Sequence, residues 1–282
     1  MQCLWQSYLN LLPPWMRQTV NRLGKDKLLE LRLRIGLQPQ CVLTDGIVRF
    51  GQVVTSQDLV FCINAASQYS PWSAATAAQG FLTAQGGHRI GICGSAVTTE
   101  GHMTGIRTPT SLCIRVARDF PGLATGVPFH NRSILIIGSP GTGKTTLLRD
   151  LIRQIAHSPY GPVAVVDDRC ELYPIVQGHH GFSTGDGVDV LSGCCKVEGI
   201  QFLLRNMSPG YIAVDEITAS QDCQALLHAG WCGVKLLATA HAGTKEDLFT
   251  RPIYRPLLKY KLFDTLLILQ SDKTWHMERC EI

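Results

Sequence analysis

Apolar and polar residues alternate along the first part of the chain, a pattern typical of strands with one buried face. In Lys27–Ile35 every second position from 29 onward is apolar, so this segment is predicted to be a strand. Cys41–Thr44 and Ile47–Phe50 are two further short apolar runs, and Asp45-Gly46 between them favours a hairpin turn. Ser56 is predicted to cap the helix that follows.

The next segment predicts a second hairpin and one more strand. His88–Thr99 has an extended pattern, Glu100-Gly101 is a turn pair, and His102–Arg107 returns along the first strand. Ser111–Ala117 is a further predicted strand. The front part of the chain therefore has the mixed pattern of a small α+β domain.

From residue 133 onward, apolar runs alternate with helical patterns. Ser133–Ile137 is almost continuously apolar, as in a strand that is buried on both faces. Thr145–His157 follows with its apolar residues on one helical face, and another helix is predicted from Ser220 to His228, ending at Gly230. Four further buried strands are predicted at Val163–Val166, Tyr211–Val214, Val234–Thr239 and Leu266–Leu269. Strands that alternate with helices predict a parallel, doubly wound sheet.

These patterns divide the chain into two predicted domains. Residues 1–118 form the α+β domain, and residues 132–282 form the parallel-sheet domain. Residues 119–131 are rich in proline and glycine and are predicted to be a linker.

Composition narrows the class of protein. Apolar residues are 45% and charged residues 17% of the chain, which excludes a mostly disordered protein. No apolar run reaches the roughly 18–20 residues of a membrane span, and the first residues lack the pattern of a signal peptide. The 11 cysteines include no CxxC pair, so we expect reduced thiols and a cytoplasmic protein. Residues 1–130 carry 11 basic against 6 acidic side chains, too small an excess for a nucleic-acid footprint.

The most specific motif is Gly138–Thr145, which matches the phosphate-loop pattern GxxxxGK[ST]. It lies between a predicted buried strand and an amphipathic helix, and its glycines let backbone N–H groups turn inward around phosphates. Lys144 is expected to reach the β- and γ-phosphates of ATP, and Thr145 to ligate Mg²⁺. The predicted nucleotide-binding residues are Gly138, Ser139, Pro140, Gly141, Thr142, Gly143, Lys144, Thr145 and Thr146.

Two consecutive carboxylates follow the predicted strand Tyr211–Val214. Asp215 is expected to hold the magnesium through water, and Glu216 to polarise an attacking water. Because kinases that act on small substrates often lack the second carboxylate, the pair favours ATP hydrolysis. The fold expected from both motifs is a RecA-like P-loop ATPase domain.

Polar residues also follow two neighbouring predicted strands, and ligands of open α/β sheets gather at the carboxyl ends of strands. Asp168 and Glu171 follow the strand at 163–166 and are candidates to position water or metal, although a salt-bridged turn explains them equally well. His241 follows the strand at 234–239 and is a candidate sensor of the γ-phosphate.

Phosphoryl transfer benefits from an arginine near the developing charge, often from a neighbouring subunit. The candidates are Arg205 and four arginines of the front domain, which are Arg89, Arg107, Arg115 and Arg118. Each one alone is more often a surface charge.

The order of these motifs resembles that of the type II/IV secretion ATPases, and more closely that of the sporulation stage III protein AA family. The segments that carry the resemblance are Leu31–Arg34, Gly86–Gly91, Ile114–Arg118, Val166–Arg169, Asp189–Cys194, Met207–Pro209, Val214–Ile217 and Ala238–His241. They span nearly the whole chain. The chain departs from the family pattern at Thr218–Ser220 and at Gly210.

The resemblance implies a hexameric ATPase in the mother-cell cytoplasm, docked on a membrane-embedded sporulation channel complex between mother cell and forespore. It implies an acidic box of Asp168, Arg169 and Glu171, a histidine box at His241, and trans contacts from Arg107 or Arg115. No nucleic-acid partner is expected.

Two alternatives remain open at this point. A nucleic-acid-stimulated ATPase is suggested by the basic front domain and predicts a steep salt dependence. An ATP-dependent assembly scaffold with negligible turnover is suggested by the departure at Thr218–Ser220.

Overall fold

A computed structural model describes residues 1–67, 80–176 and 179–280, and divides the chain into two compact units. Unit 1 comprises Met1–Asp119 and Pro174–Phe182. Unit 2 comprises Phe120–Tyr173 and Ser183–Ile282. The segment predicted to be a linker thus belongs almost entirely to unit 2. Conversely, Pro174–Phe182 belongs to unit 1 although it lies in the second half of the sequence.

Unit 1 is an antiparallel sheet with helices. Its helices are α1 (Trp5–Asn10), α2 (Pro14–Leu23) and α3 (Ser56–Ser67). Its main strands are β1 (Leu28–Arg34), β2 (Gln40–Leu43), β3 (Gly46–Arg49), β4 (Phe81–Thr83), β5 (Arg89–Thr99) and β6 (His102–Arg115). The order across the sheet is β3-β2-β1-β6-β5-β4. The core that it encloses includes Tyr8, Leu12, Met16, Leu31, Leu33, Leu59, Ile90 and Ile114.

Two details of unit 1 differ from the sequence patterns. Leu29, expected on the buried face of β1, is 40% exposed, because the register between β1 and β2 shifts at this point. The cap of α3 is Thr55 rather than Ser56, since the Asp58 backbone N–H donates to Thr55 Oγ1 and the Thr55 N–H donates to the Asp58 carboxylate.

Both predicted hairpins form, with adjustments. In the first, Leu43 pairs with Gly46, which makes Thr44 and Asp45 the turn residues. The second turns at Glu100-Gly101 as predicted, where both residues have positive φ. The two strands expected after that turn form one continuous strand, β6.

Unit 2 is a doubly wound sheet. Its strands are β7 (Ile134–Gly138), β8 (Val163–Asp167), β11 (Val188–Ser192), β12 (Tyr211–Val214), β13 (Lys235–Ala240), β14 (Thr265–Leu269) and β15 (Trp275–Arg279). The two strands that come between β8 and β11 in the sequence, β9 (Ile175–Val176) and β10 (His179–His180), belong to unit 1 and pair with each other. Its helices are α4 (Lys144–Ala156), α5 (Lys196–Asn206), α6 (Ser220–Trp231), α7 (Lys245–Thr250) and α8 (Arg255–Lys259), with a 3₁₀ turn at Pro252–Tyr254.

The order across this sheet is β11-β8-β12-β13-β7-β14-β15, and all pairs are parallel except β14 with β15. Strands β7, β8, β12 and β14 are buried along their whole length, which explains their continuous apolar runs. In a parallel sheet all carboxyl ends lie along one edge, so the loops after β7, β8, β12 and β13 gather there.

Helix α6 does not end at Gly230 as predicted. Gly230 lies inside the helix, where a Cβ atom would be 2.5 Å from the Leu262 Cδ1 atom, and the chain turns at Gly233, with φ +86°. Glycine at 230 therefore serves close packing rather than helix termination.

We expect unit 1 to lose stability in mild acid because of His88. Its ring is fully buried, the Ala117 backbone N–H donates to Nδ1 at 3.1 Å, and Nε2 lies 3.0 Å from the Leu4 carbonyl oxygen. Nδ1 must therefore accept and Nε2 must donate, so the bonded form is neutral. Burial lowers the pKa of His88 to about 4. The unfolded chain takes up this proton near pH 6.5, whereas His88 in the folded protein takes it up only near pH 4. The free energy of unfolding therefore has the full contribution of neutral His88 above pH 6.5 and falls by about 3 kcal/mol as the pH drops towards 4.

Urea unfolding of unit 1 between pH 7 and pH 4.5 measures this loss. His88→Gln is expected to flatten the pH dependence, and replacement of the exposed His228 by glutamine is the control. If His88→Gln does not fold, hydrogen exchange of the Ala117 amide in the unchanged protein gives the answer. If the protection of the Ala117 amide stays the same as the pH is lowered from 7 to 4.5, the prediction is contradicted.

Candidate active site

The phosphate loop connects β7 to α4 and depends on its glycines. Gly141 and Gly143 have φ of +77° and +107°, which side chains rarely adopt. A Cβ atom at Gly138 would be 2.8 Å from the Leu269 carbonyl oxygen on β14. Ser139 and Pro140 are exposed, Thr142 donates from Oγ1 to the Ser139 carbonyl at 2.9 Å, and Thr146 lies half-buried on α4.

Lys144 is buried at the start of α4, and its ammonium group donates three hydrogen bonds. The acceptors are the carbonyl oxygens of Gly138 at 2.8 Å and Ser139 at 3.0 Å, and His241 Nδ1 at 3.1 Å. Burial lowers the pKa of Lys144, while the carboxylates of Asp215 and Glu216 act in the opposite direction. A cation is thus held inside the loop by groups that an incoming phosphate can replace.

Thr145 and Asp215 form the second part of the site. Thr145 Oγ1 donates to Asp215 Oδ2 at 2.7 Å, and Thr239 Oγ1 donates to Asp215 Oδ1 at 2.6 Å. Asp215 is largely buried, and Thr239 lies on β13, the strand between β7 and β12. The pair offers a hydroxyl and a carboxylate oxygen, the hard oxygen donors that Mg²⁺ prefers, so the residues present fit a magnesium ion.

Glu216 is held at the end of β12 in a left-handed conformation, φ +50°, which is unusual for a residue with a side chain and is typical of functional sites. Its backbone N–H donates to Thr239 Oγ1 at 2.8 Å. His241 Nε2 is 2.8 Å from Glu216 Oε1, and Arg169 Nη1 is 2.6 Å from Glu216 Oε2. Because Lys144 donates to His241 Nδ1, the histidine proton lies on Nε2 and is donated to Glu216.

The acidic turn after β8 is anchored by Asp167. Its carboxylate accepts the backbone N–H groups of Glu171 and Tyr173, both at 2.8 Å. Burial raises the pKa of Asp167 to about 6, although hydrogen bonds from the Tyr173 and Leu172 backbone N–H groups act against the rise. Asp168 forms an ion pair with the buried Lys196 at 2.6 Å. Asp168 thus forms the salt bridge that one of the two interpretations of this turn expects, and Arg169 of the same turn contacts Glu216.

The predicted arginines lie in several places. Arg107 and Arg115 are on β6 of unit 1, and Arg115 Nε is 3.8 Å from the Glu30 carboxylate. Arg118 donates to the carbonyl oxygens of Lys25 and Leu28. Arg89 stacks on the Phe81 ring, and Arg205 is exposed near the end of α5.

Sequence reasoning missed three residues near the site. Thr239 bridges Asp215 and Glu216, as described above. Lys196 pairs with Asp168, and Lys273, at the turn between β14 and β15, donates to the Gly141 carbonyl oxygen at 2.6 Å. Only Thr239 carried a signal, since it directly precedes the Ala240-His241 pair at the end of a buried strand.

Among residues 1–67, 80–176 and 179–280, no cluster of three or more histidine, cysteine or acidic side chains has the arrangement of a metal site. Within the same part of the chain, no helix combines the length and apolar character needed to cross a bilayer.

Comparison with known proteins agrees with the motifs. The family model of sporulation stage III, protein AA matches residues 6–277. Stage III sporulation protein AA of Bacillus subtilis (strain 168) is 34% identical over 275 residues, which cover 93% of this chain and 90% of the relative. The X-ray structure of the ATPase DotB from Legionella pneumophila is similar with a TM-score of 0.60 and 17% identity, covering 95% of this chain and 80% of DotB.

A second similar structure is that of the pilus retraction motor PilT with bound ADP. Its TM-score is 0.60 at 12% identity, covering 89% of this chain and 76% of PilT. At these identities both structures establish the fold, and the expectation of a RecA-like ATPase fold with a smaller α+β part is confirmed.

Proposed function

This chain belongs to the sporulation stage III protein AA family, and on that premise we propose that it binds and hydrolyses ATP as a motor of the secretion-ATPase type. The observation that carries the proposal is the convergence of Lys144, Thr145, Asp215 and Glu216 at one edge of the sheet of unit 2. Phosphate loop, magnesium ligands and a general base are the parts that hydrolysis of a nucleoside triphosphate requires.

In this proposal Lys144 exchanges its bonds to the loop carbonyls and His241 for bonds to the β- and γ-phosphates. Thr145 and Asp215 hold Mg²⁺, which neutralises phosphate charge when bound. Glu216 accepts a proton from the water that attacks the γ-phosphorus, the bond to the bridging oxygen breaks, and ADP and phosphate result. His241 donates to Glu216 from Nε2 and keeps its carboxylate oriented.

We further propose the assembly that the family implies. The protein is a homo-oligomer, in the proposal a hexamer, which acts at the mother-cell side of a membrane-embedded sporulation channel complex and energises or assembles it. Arg107 or Arg115 of unit 1 completes the site of a neighbouring subunit. The domain division into residues 1–118 and 132–282 is part of this proposal.

The departure from the family pattern at Thr218–Ser220 lies at the start of α6, where the Asp222 carboxylate accepts the backbone N–H groups of Thr218 and Ala219.

ATP hydrolysis measured against protein concentration tests the proposal. We expect the rate per subunit to rise at least about 10-fold as subunits assemble, because an arginine in trans contributes strongly to phosphoryl transfer. The variants R107A and R115A are measured in parallel, and the one that removes the trans arginine should assemble without the rise.

Three other results would contradict the proposal. Intact ATP binding with no turnover at concentrations where a ring forms would favour the assembly scaffold. Strong stimulation by single-stranded DNA, lost steeply with salt, would favour a nucleic-acid-dependent ATPase. Absence of ATP binding would contradict the phosphate-loop assignment itself.

A further inference from the structure

Both carboxylate oxygens of Glu216 are engaged in this structure. Oε1 accepts from His241 at 2.8 Å, and Oε2 accepts from Arg169 at 2.6 Å. Each oxygen of the Glu216 carboxylate therefore already accepts a hydrogen bond from an N–H donor, and a water that attacks the γ-phosphate has to compete with these donors for it. Glu216 is in a resting arrangement, and the departure of one partner frees an oxygen to accept the proton of water.

Arg169 is the more exposed of the two partners. The backbone of its turn is fixed, since the Asp167 carboxylate accepts the Glu171 and Tyr173 N–H groups and Asp168 is paired with the buried Lys196. The Arg169 side chain, by contrast, is 49% exposed. An ion pair as exposed as this one is weak, so a stronger anion can replace the carboxylate.

A triphosphate in the loop supplies that anion. Hydrogen bonds connect Arg169 through Glu216 and His241 to Lys144, the residue that meets the β- and γ-phosphates. A guanidinium can bind a phosphate through two parallel hydrogen bonds, whereas Arg169 donates one hydrogen bond to Glu216. ATP offers this γ-phosphate and ADP does not.

We propose that Arg169 is a γ-phosphate-sensing residue that holds Glu216 inactive until ATP is bound. On ATP binding, Arg169 transfers to the γ-phosphate and releases Glu216 to accept the proton of water. After phosphate leaves, Arg169 returns to Glu216. The inference rests on the proposed ATPase function and adds a positioning residue that also distinguishes ATP from ADP.

A double-mutant cycle on nucleotide affinity tests this exchange without relying on turnover. AMP-PNP with Mg²⁺ and ADP with Mg²⁺ are the probes, and the proteins are wild type, R169A, E216Q and the double variant. R169A is expected to weaken AMP-PNP binding about 5-fold or more and to leave ADP binding within about 2-fold. E216Q releases Arg169 and should therefore strengthen AMP-PNP binding when Arg169 is present. The gain from wild type to E216Q should be at least about 5-fold larger than the gain from R169A to the double variant.

The controls separate this role from a structural one. R251A removes another arginine paired with a carboxylate, Asp247, in the same unit, and is expected to change neither affinity. R169K retains the charge and should restore part of the preference for AMP-PNP. Equal losses for both nucleotides in R169A, or additive effects in the cycle, would overturn the inference. If wild type binds neither nucleotide, the proposed function fails; binding and turnover without coupling would remove the sensing role alone.

Discussion

Replacement of Glu216 by glutamine is expected to lower ATP turnover by about 100-fold or more while ATP still binds. Glutamine keeps the size of the side chain and can accept the His241 Nε2–H bond, which is 2.8 Å long in the structure. It cannot take a proton from water. Because Lys144, Thr145 and Asp215 are unchanged, the phosphate loop and the magnesium ligands remain, and the loss should appear in kcat rather than in ATP affinity.

Glu278 provides a matched control for this variant. It lies on β15 of the same unit and, like Glu216, faces a histidine, with 3.4 Å between His276 Nε2 and Glu278 Oε1. Glu278→Gln is expected to retain full turnover. Steady-state hydrolysis together with nucleotide binding distinguishes the variants. Turnover within a few-fold of wild type in Glu216→Gln would show that another group accepts the proton.

The sequence predicted where the candidate nucleotide-binding residues lie in the fold, because their positions follow from local patterns; their binding of a nucleotide stays a prediction. The phosphate loop, Asp215-Glu216 and His241 each follow an apolar run, and the carboxyl ends of parallel strands meet at one edge. The family resemblance and the RecA-like fold are confirmed by the comparisons. The roles of Glu216 and His241 in catalysis stay predictions, which their hydrogen bonds support.

Contacts between distant loops could not be predicted in the same way. The ion pair between Arg169 and Glu216 joins turns that are 47 residues apart, and the family resemblance placed Arg169 in the acidic box without indicating this partner. Thr239 meets Asp215 only because β13 lies beside β12. Periodicity indicates which face of a strand is buried, but it does not contain the strand order that creates these neighbours.

Glycines show the same limit on a smaller scale. Gly230 has the residue type of a helix terminus, yet it lies inside α6, where Leu262 packs against it and leaves no room for a Cβ atom. Gly210, a departure from the family pattern, has the Tyr160 carbonyl oxygen 2.9 Å from the position of a Cβ atom. In both cases the cause is a tertiary contact, and a local rule about glycine assigns the wrong reason.

Asp150 is expected to be a major stabilising residue of unit 2, although no sequence motif includes it. Its side chain is buried on α4 and accepts four hydrogen bonds, from the Gly122 and Ala124 backbone N–H groups at 3.0 and 2.7 Å and from the side chains of Arg153 and Gln154 at 3.0 and 2.9 Å. Asp150→Ala leaves these donors without their acceptor. We expect a loss of about 3–5 kcal/mol in the free energy of unfolding.

The loss should be concentrated in the first residues of unit 2, which form part of the predicted linker. Hydrogen exchange of the Gly122 and Ala124 amides measures it directly, and urea unfolding gives its size. Asp247 is the matched control, because it also accepts a backbone N–H, from Gly243 at 2.9 Å, and pairs with an arginine, but is exposed. Asp247→Ala should cost far less than Asp150→Ala, since water replaces the lost bonds at an exposed site. Similar losses in both variants would show that burial of the Asp150 carboxylate is not what makes its hydrogen bonds strong.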